Sequence, residues 1–513
     1  MNQVTKIMSA YPDFSPEAEK LPKSVLFGRL GTYCMANLLF MVLLLIFRAF
    51  SVQNGHDPLP YLFLLFALCS YPLVMVKEPT GRFCLLVIAG PLMFLFFGFN
   101  DLLSYFMELK GRYLSPAEDL MTSAEMVILS GISSLFIGYA LAILGIKQKG
   151  RPAFSSDWKT WQIITIGLIC TVVGVYATWI AQISVDLNQK FLVESQIDAG
   201  FMILGRMVEP VGAVLLSYAY MKSKNFKLLL LILVIAAVKL PIGIILNSKE
   251  IGISFAAIFI MTHWIYTGRI PYRWVIILSV VIVVYFPISY AYRASLGASN
   301  MTVSKSMDDI DQLFVKAEKY KKKDETASGI KKFASRNDYK SMIDLIVNRV
   351  GRTVRFQGGH TLAELPYAFV PRLVYPGKPA VSTGQLFNRE FHVSLDRNSY
   401  VSASFLGEFY WNFGWAGTLL GMFCMGFFWG VIGRVANIRD HASVAKMLIL
   451  ISAIYLLIVR FETGIAQQTV QFLRSLLIIY LLDVLLRIFR GGGATYDTPE
   501  VPESAEMNPT KAS

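Results

Sequence analysis

Apolar residues in this chain come in runs near 20 residues long, separated by short stretches that concentrate the charge. A helix rises about 1.5 Å per residue, so such a run matches the roughly 30 Å of bilayer hydrocarbon. The runs lie near 31–49, 60–76, 82–99, 124–146, 161–183, 200–221, 228–247, 251–268, 274–292, 414–434, 444–461 and 468–487. This pattern predicts an all-α polytopic integral membrane protein of about twelve transmembrane helices. One interruption, 293–413, is far longer than the rest.

The charges between the runs assign sides. Lys6, Lys20, Lys23 and Arg29 precede the first run, and the same side collects Lys77, Arg82, Lys147, Lys149, Arg151, Lys159, Lys222, Lys224, Lys227, Arg269 and Arg273. Opposite loops are balanced or acidic, with Asp57, Asp101, Glu118, Asp119, Asp186, Glu194 and Glu250. Lysine and arginine in short loops mark the cytoplasmic face, which puts both termini there and the long segment outside. The expected layout is a cytoplasmic segment 1–30, spans one to nine within 31–292, a large periplasmic loop 293–413, spans ten to twelve within 414–487 and a cytoplasmic tail 488–513.

Composition agrees: 55% of the 513 residues are hydrophobic and only 16% are charged, against about 25% charged in a soluble chain. The formal net charge of +13 suits an anionic lipid headgroup or a phosphorylated substrate on the external face, and nucleic acid is a poor partner there. The five cysteines sit in or beside apolar runs without disulfide or metal-ligand spacing, as small buried hydrophobes do. The start of the chain lacks the arrangement of a signal peptide, so the first span is expected to direct insertion.

Within the long loop, the run Lys316–Glu325 reads as a solvated helix. The stretch YKSMIDLIVNRVGRTVRF, from Tyr339 to Phe356, predicts an amphipathic helix. Arg349, Arg352 and Arg355 would share one face, and Met342, Ile343, Ile346 and Val350 would lie on another and rest on the membrane interface. The segment FVPRLVYPGKP, Phe369 to Pro379, has three prolines and a Pro-Gly turn signal, which restrict its backbone and would present Arg372 and Lys378 from a rigid support. Plain anchoring of cations and aromatics at the membrane surface accounts for the same composition.

That proline segment, followed by FLGEFYWNFGWAGTLLGMFCMGFFWGVIGRV, resembles the carboxyl-terminal region of Wzy-type bacterial polysaccharide polymerases. The matching residues are Pro371, Arg372, Pro376, Lys378 and Pro379, then Gly407, Glu408, Phe409, Tyr410, Asn412, Phe413, Gly414, Trp415 and Gly417. Motif resemblance is confined to about 70 residues near 365–435; the layout of spans and loop is similar throughout. The resemblance implies a GT-C-like architecture in the bacterial inner membrane. It also implies a metal-independent glycosyltransferase that joins undecaprenyl-diphosphate-linked oligosaccharide repeats at the periplasmic face and releases undecaprenyl diphosphate. No cofactor is expected, and a chain-length regulator and a flippase are the implied protein partners. O-antigen ligases share the architecture and would move glycan to lipid A core. A transporter of lipid-linked sugar would carry internal repeats, and none is evident.

In such a transfer negative charge develops on the departing diphosphate, which positioned cations stabilise. Arg349, Arg352, Arg355, Arg372 and Lys378 supply them, and Tyr410 and Asn412 join the expected substrate contacts. His360, in QGGHT, and Glu408 are the candidate bases. Glu408 has the alternatives of pairing with a loop arginine or capping a helix, and His360 of filling a glycine-rich turn. Asp308, Asp309 and Asp311 read as solvated rather than metal-bound. Charged groups at membrane depth mark functional sites by default: Arg206 is the candidate on the diphosphate or glycan path, with an intrahelical pair to Glu209 as the alternative, and Lys239, Arg460 and Glu462 are the others.

Overall fold

The computed structural model describes residues 23–49, 57–76, 81–105, 121–145, 158–183, 196–245, 249–299, 338–367, 383–394, 400–437 and 443–489. Helices cover every apolar run: α1 Lys23–Ala49, α2 Leu59–Met75, α3 Cys84–Phe97 with the short α4 Phe99–Ser104, α5 Ser123–Gly145, α6 Thr160–Ile183, α7 Gln196–Ser223, α8 Phe226–Ile245, α9 Lys249–Thr267 and α10 Tyr272–Ser299. The long loop contributes α11 Tyr339–Arg349, a 3₁₀ turn His360–Leu362, α12 Glu364–Tyr367 and α13 Thr383–Phe391. The chain then finishes with α14 Ser404–Val435, α15 Val444–Ala453, which continues as a π-helical turn Ile454–Val459, and α16 Ile465–Phe489.

Among the described residues, seven helices are long and apolar enough to cross a membrane, and shorter apolar helices occupy Leu59–Val74, Cys84–Phe97, Tyr272–Tyr285 and Val444–Val459. The protein is an all-α polytopic membrane protein. Large side chains such as Leu38, Leu39, Ile276, Val280 and Val283 are exposed on α1 and α10, as lipid-facing surface requires and a water-facing surface avoids.

Where helices meet inside the bilayer, small residues let backbones touch, because burial from lipid gives little hydrophobic gain. The α5–α14 pair follows this rule. A Cβ added at Gly426 would lie 1.9 Å from the Leu135 carbonyl oxygen, and one at Gly138 would lie 2.1 Å from that of Phe423. Gly430 and Gly433 continue the same seam against Tyr139. The Tyr139 hydroxyl in turn donates to the Arg82 carbonyl (2.6 Å) and ties α3 to the pair.

Two expectations for the loop change. The helix after Asp338 stops at Arg349, because Val350 turns extended and Gly351 takes φ +82°. The amides of Thr353 and Val354 fold back onto the Arg349 carbonyl. Arg349, Arg352 and Arg355 therefore do not share a helical face. The apolar side of α11 rests on protein rather than on the membrane interface: Ile343 and Ile346 are fully buried, and their methyl groups pack against Gly407 of α14. Residues 404–412 are helical and buried, and a kink falls at 413/414, with non-helical angles at Phe413 (φ −140°, ψ 16°) and Gly414 (φ 62°, ψ −145°).

The seam yields a direct test. Gly426→Leu forces α14 away from α5, and overpacking of this kind costs about 1–3 kcal/mol. The purified variant should melt at a lower temperature than the parent in the same detergent, whereas Leu420→Ala, on the exposed face of α14, should melt within a degree or two of it.

Candidate functional site

The long loop is held to the bundle by one buried ammonium. Lys340, at the start of α11, donates to Asp101 (2.5 Å) and Glu125 (2.6 Å), with its Nζ 4.6 Å from the centre of the Tyr61 ring. Each partner has a local reason for its place. Thr122 and Glu125 form a capping box at the start of α5: the Thr122 amide donates to Glu125 Oε2 (2.8 Å) and the Glu125 amide to Thr122 Oγ1 (3.2 Å). That leaves Glu125 Oε1 for the lysine. Asp338 caps α11 by accepting from the Ser341 amide (3.1 Å), which fixes the register of Lys340.

Burial alone would lower the Lys340 pKa, but Asp101 and Glu125 outweigh it and raise it. Burial pushes the Asp101 carboxyl up, and the ammonium offsets only part of that. Two acids facing one base leave a surplus negative charge, so the two directions are consistent. Beside this lock the Tyr339 hydroxyl donates to Glu462. The Glu462 and Phe461 carbonyls accept from the amides of Ser404 and Phe405 (3.2 Å each), joining the start of α14 to the turn before α16.

Residues around the kink hold the second half of the loop. Asn412 is buried. Its Nδ2 donates to Thr361 Oγ1 (2.7 Å) and the Glu408 carbonyl (2.8 Å), and its Oδ1 accepts from the Gly359 amide (2.9 Å). The amides of Gln357 and Gly358 donate to the Trp411 and Asn412 carbonyls (3.0 and 3.1 Å), so the QGGHT turn is clamped to α14. His360 is exposed on that turn. Gly358 and Gly359 both have positive φ, which the turn requires.

The predicted site residues divide by location. Arg352 and Arg355 are exposed on the strand of chain between α11 and the QGGHT turn, and Arg352 is close enough to Tyr410 to act on it electrostatically. Arg349 is half-buried and donates from Nη1 to the Phe391 carbonyl (2.8 Å), linking α11 to α13. Glu408 is fully buried, and its Oε2 accepts from the Ile465 amide (2.8 Å) at the start of α16. It caps a helix far along the chain, where a carboxylate complements the helix dipole. Arg372 and Lys378 lie outside the described residues, as do Asp308, Asp309 and Asp311, and so does the side chain of Arg206. Among the described residues, no group of three or more His, Cys, Asp or Glu is placed to hold a metal ion.

Within the membrane helices, Glu209 is paired across helices. Its carboxylate meets Lys239 of α8, whose Nζ also donates to Ser254 Oγ (3.2 Å) on α9. Arg460 and Glu462 likewise take separate partners: Arg460 bonds Glu250 and donates to Gln471 Oε1 (3.1 Å). Sequence reasoning missed Lys340, Asp101 and Glu125 as a unit. Lys340 lies at i, i+3, i+6 with Ile343 and Ile346 on the apolar side of its helix, and a lone cation there is the signal that was available.

Removing the ammonium should free the loop. Lys340→Ala leaves two buried carboxylates uncompensated, a change of about 3–5 kcal/mol. Limited proteolysis of the purified variant should cut residues 338–367 much faster than in the parent. Lys340→Met combined with Asp101→Asn and Glu125→Gln should recover most of the protection. The pH dependence has a definite sign. A lysine whose folded pKa is raised stabilises fully below its unfolded value of about 10.4, and the contribution is lost as pH rises through the folded value. Asp101 acts in the same sense at lower pH: its protonated form stabilises below about 3.9, and that contribution fades as pH rises through its raised value. Protection of α11 should thus collapse at strongly alkaline pH in the parent and show no such alkaline step in the triple variant.

Comparison with protein-family models, with curated proteins and with solved structures returned no match for this chain.

Proposed function

We propose that this chain is a polysaccharide polymerase that joins undecaprenyl-diphosphate-linked oligosaccharide repeats at the periplasmic face of a bacterial inner membrane. The observation that carries the reading is the docking of a cation-bearing loop turn onto the kink of α14. His360 lies on that turn and Arg352 and Arg355 on the segment leading into it, and the kink lies within the Gly407–Gly417 element on which the resemblance to Wzy-type polymerases rests. The proposed reaction passes a glycan to a hydroxyl of an incoming lipid-linked repeat. The hydroxyl oxygen bonds to the anomeric carbon and its proton passes to the base. The bond from that carbon to the diphosphate breaks, and undecaprenyl diphosphate leaves with the electron pair.

Two requirements follow: charge stabilisation at the leaving diphosphate and a base at the acceptor. Arg352 and Arg355 are exposed at the turn, and Arg372 and Lys378 of the proline segment join them in the proposal; arginine offers a planar fork of donors that fits phosphate oxygens. Arg349, bonded to the Phe391 carbonyl, serves this reading by holding the turn. Asn412, with both ends of its amide engaged inside the protein, fixes His360 in position. Between the candidate bases, His360 is the better choice, since it is exposed and a neutral imidazole carries a ring nitrogen that can accept a proton. Glu408 is occupied at the start of α16. Tyr410, beside Arg352, is the proposed contact for the sugar. Arg206 is proposed on the path of the lipid-linked chain.

Reconstitution with a synthetic undecaprenyl-diphosphate repeat and sizing of the products tests the reading. A ladder supports polymerase. Single transfer onto lipid A core without a ladder points to ligase, and translocation without either product points to a transporter. Arg372→Lys should lower the polymerisation rate and Arg372→Ala should lower it further, since losing one donor to developing charge costs about 3 kcal/mol, or roughly a hundredfold in rate. Near-parental rates in both variants, at matched membrane levels, would remove Arg372 from the site.

A further inference from the structure

At the α14 kink the lipid-facing surface of the helix does not end where the helix bends. Phe427 and Leu420 lie seven residues apart on α14 and are 41% and 66% exposed, and Phe413, at the kink, is 50% exposed, so exposed apolar surface extends up α14 to the kink. There the stripe passes onto the loop. Phe356, also 50% exposed, comes from the chain after α11, and its ring packs over Gly414, where an added Cβ would lie 3.3 Å from it. Trp415 extends the patch sideways, with its ring edge-on to Tyr410 at 6.4 Å. Immediately beside Phe356 are Arg355 and, one turn back, Arg352, both exposed.

We infer that Phe356, Phe413 and Trp415 form a wedge that inserts the Gly351–Phe356 turn into the bilayer at the boundary between acyl chains and headgroups, with Arg352 and Arg355 on headgroup phosphates. The occupant is the phospholipid leaflet itself. Two features select it. The patch adjoins the exposed apolar surface of a membrane-crossing helix, and the turn that carries Phe356 also carries exposed Arg352 and Arg355. Aromatic rings favour this depth, and arginine side chains lay their stems along apolar surface while the guanidinium stays in the polar layer. The gain comes from covering three half-exposed rings, at about 25 cal/mol per Å² of apolar area removed from water. The inference holds whichever reaction the loop serves, since it concerns where the turn sits rather than what it binds as substrate.

Depth can be read with spin labels on the full chain in phospholipid nanodiscs. Cys34 and Cys424, the exposed cysteines, are replaced by serine, and single nitroxides are placed through Phe356→Cys, Thr353→Cys and Leu420→Cys. Collision rates with oxygen and with a water-soluble nickel chelate are then compared. The label at 356 should behave like that at 420, with high oxygen and low chelate access, and the label at 353 should show several-fold higher chelate access. Chelate access at 356 equal to that at 353 would overturn the inference. So would shielding at 356 that develops only when undecaprenyl diphosphate is added, because the patch would then be a substrate surface rather than a bilayer contact. In parallel, Arg352→Gln with Arg355→Gln should move a 356 label toward water in nanodiscs containing anionic lipid. An unmoved label would overturn the assignment of the arginines to headgroup phosphates.

Discussion

The seat of α11 on the bundle is set by an ammonium placed where water does not reach. A lysine side chain taken out of water is stable only if negative charge meets it with good geometry. Asp101 and Glu125 arrive at that point from a short helix after α3 and from the capping box of α5. One protein segment thereby reads the relative placement of two membrane helices. Replacing such a cluster by apolar groups often costs little stability, so its value here lies in register: α11 has one seat on the bundle, because elsewhere the charge would be buried without partners.

From that seat the position is passed on by packing. Ile343 and Ile346 meet α14 at Gly407, where a side chain would keep the two helices apart. Lower on α14, Gly426 against the Leu135 carbonyl fixes the same helix to α5. With α14 held at two heights, its kink at Phe413 and Gly414 has a defined location, and Asn412 carries that location to the QGGHT turn through three hydrogen bonds. Thr361, Gly359 and His360 sit where they do because of residues more than fifty positions away in sequence.

The apolar runs were legible because the bilayer imposes a length, and a helix was found over each of them. What stayed hidden were pairings that depend on which helices become neighbours. Glu209 is three residues from Arg206, whose side chain lies outside the described residues, and local spacing gave no hint that its carboxylate meets Lys239 on another helix. Asp101 read as a loop charge that marks a side, Glu125 fell at the start of an apolar run, and nothing local says that they converge on one lysine 239 and 215 positions later. The three-residue spacing of Arg349, Arg352 and Arg355 suggested a helical face. Gly351, at φ +82°, was the visible reason for doubt, since glycine followed by β-branched residues ends helices. The Gly407–Gly414 element stood out in the sequence, but its role as the bed for the loop came from Asn412 and Glu408 being buried rather than facing outward.

These pairings also bear on what the remaining charges do. Among the described residues several cations meet acids: Lys239 with Glu209, Arg460 with Glu250, Lys340 with Asp101 and Glu125. Burial explains the matching, since an uncompensated charge there costs several kcal/mol, about 3–5 when a partner is removed. Arg352 and Arg355 are under no such demand. They stand exposed on the segment that leads from α11 into the clamped QGGHT turn, next to half-exposed aromatic rings. Ordinary surface cations sit on mobile ends, where fixing them brings no benefit. A clamped backbone reduces the ordering that an anion must impose when it binds, which leaves more of the charge interaction for the bound state. The proposal that Arg352 and Arg355 meet phosphate rests on this contrast between cations matched by acids and cations left exposed beside the α14 kink.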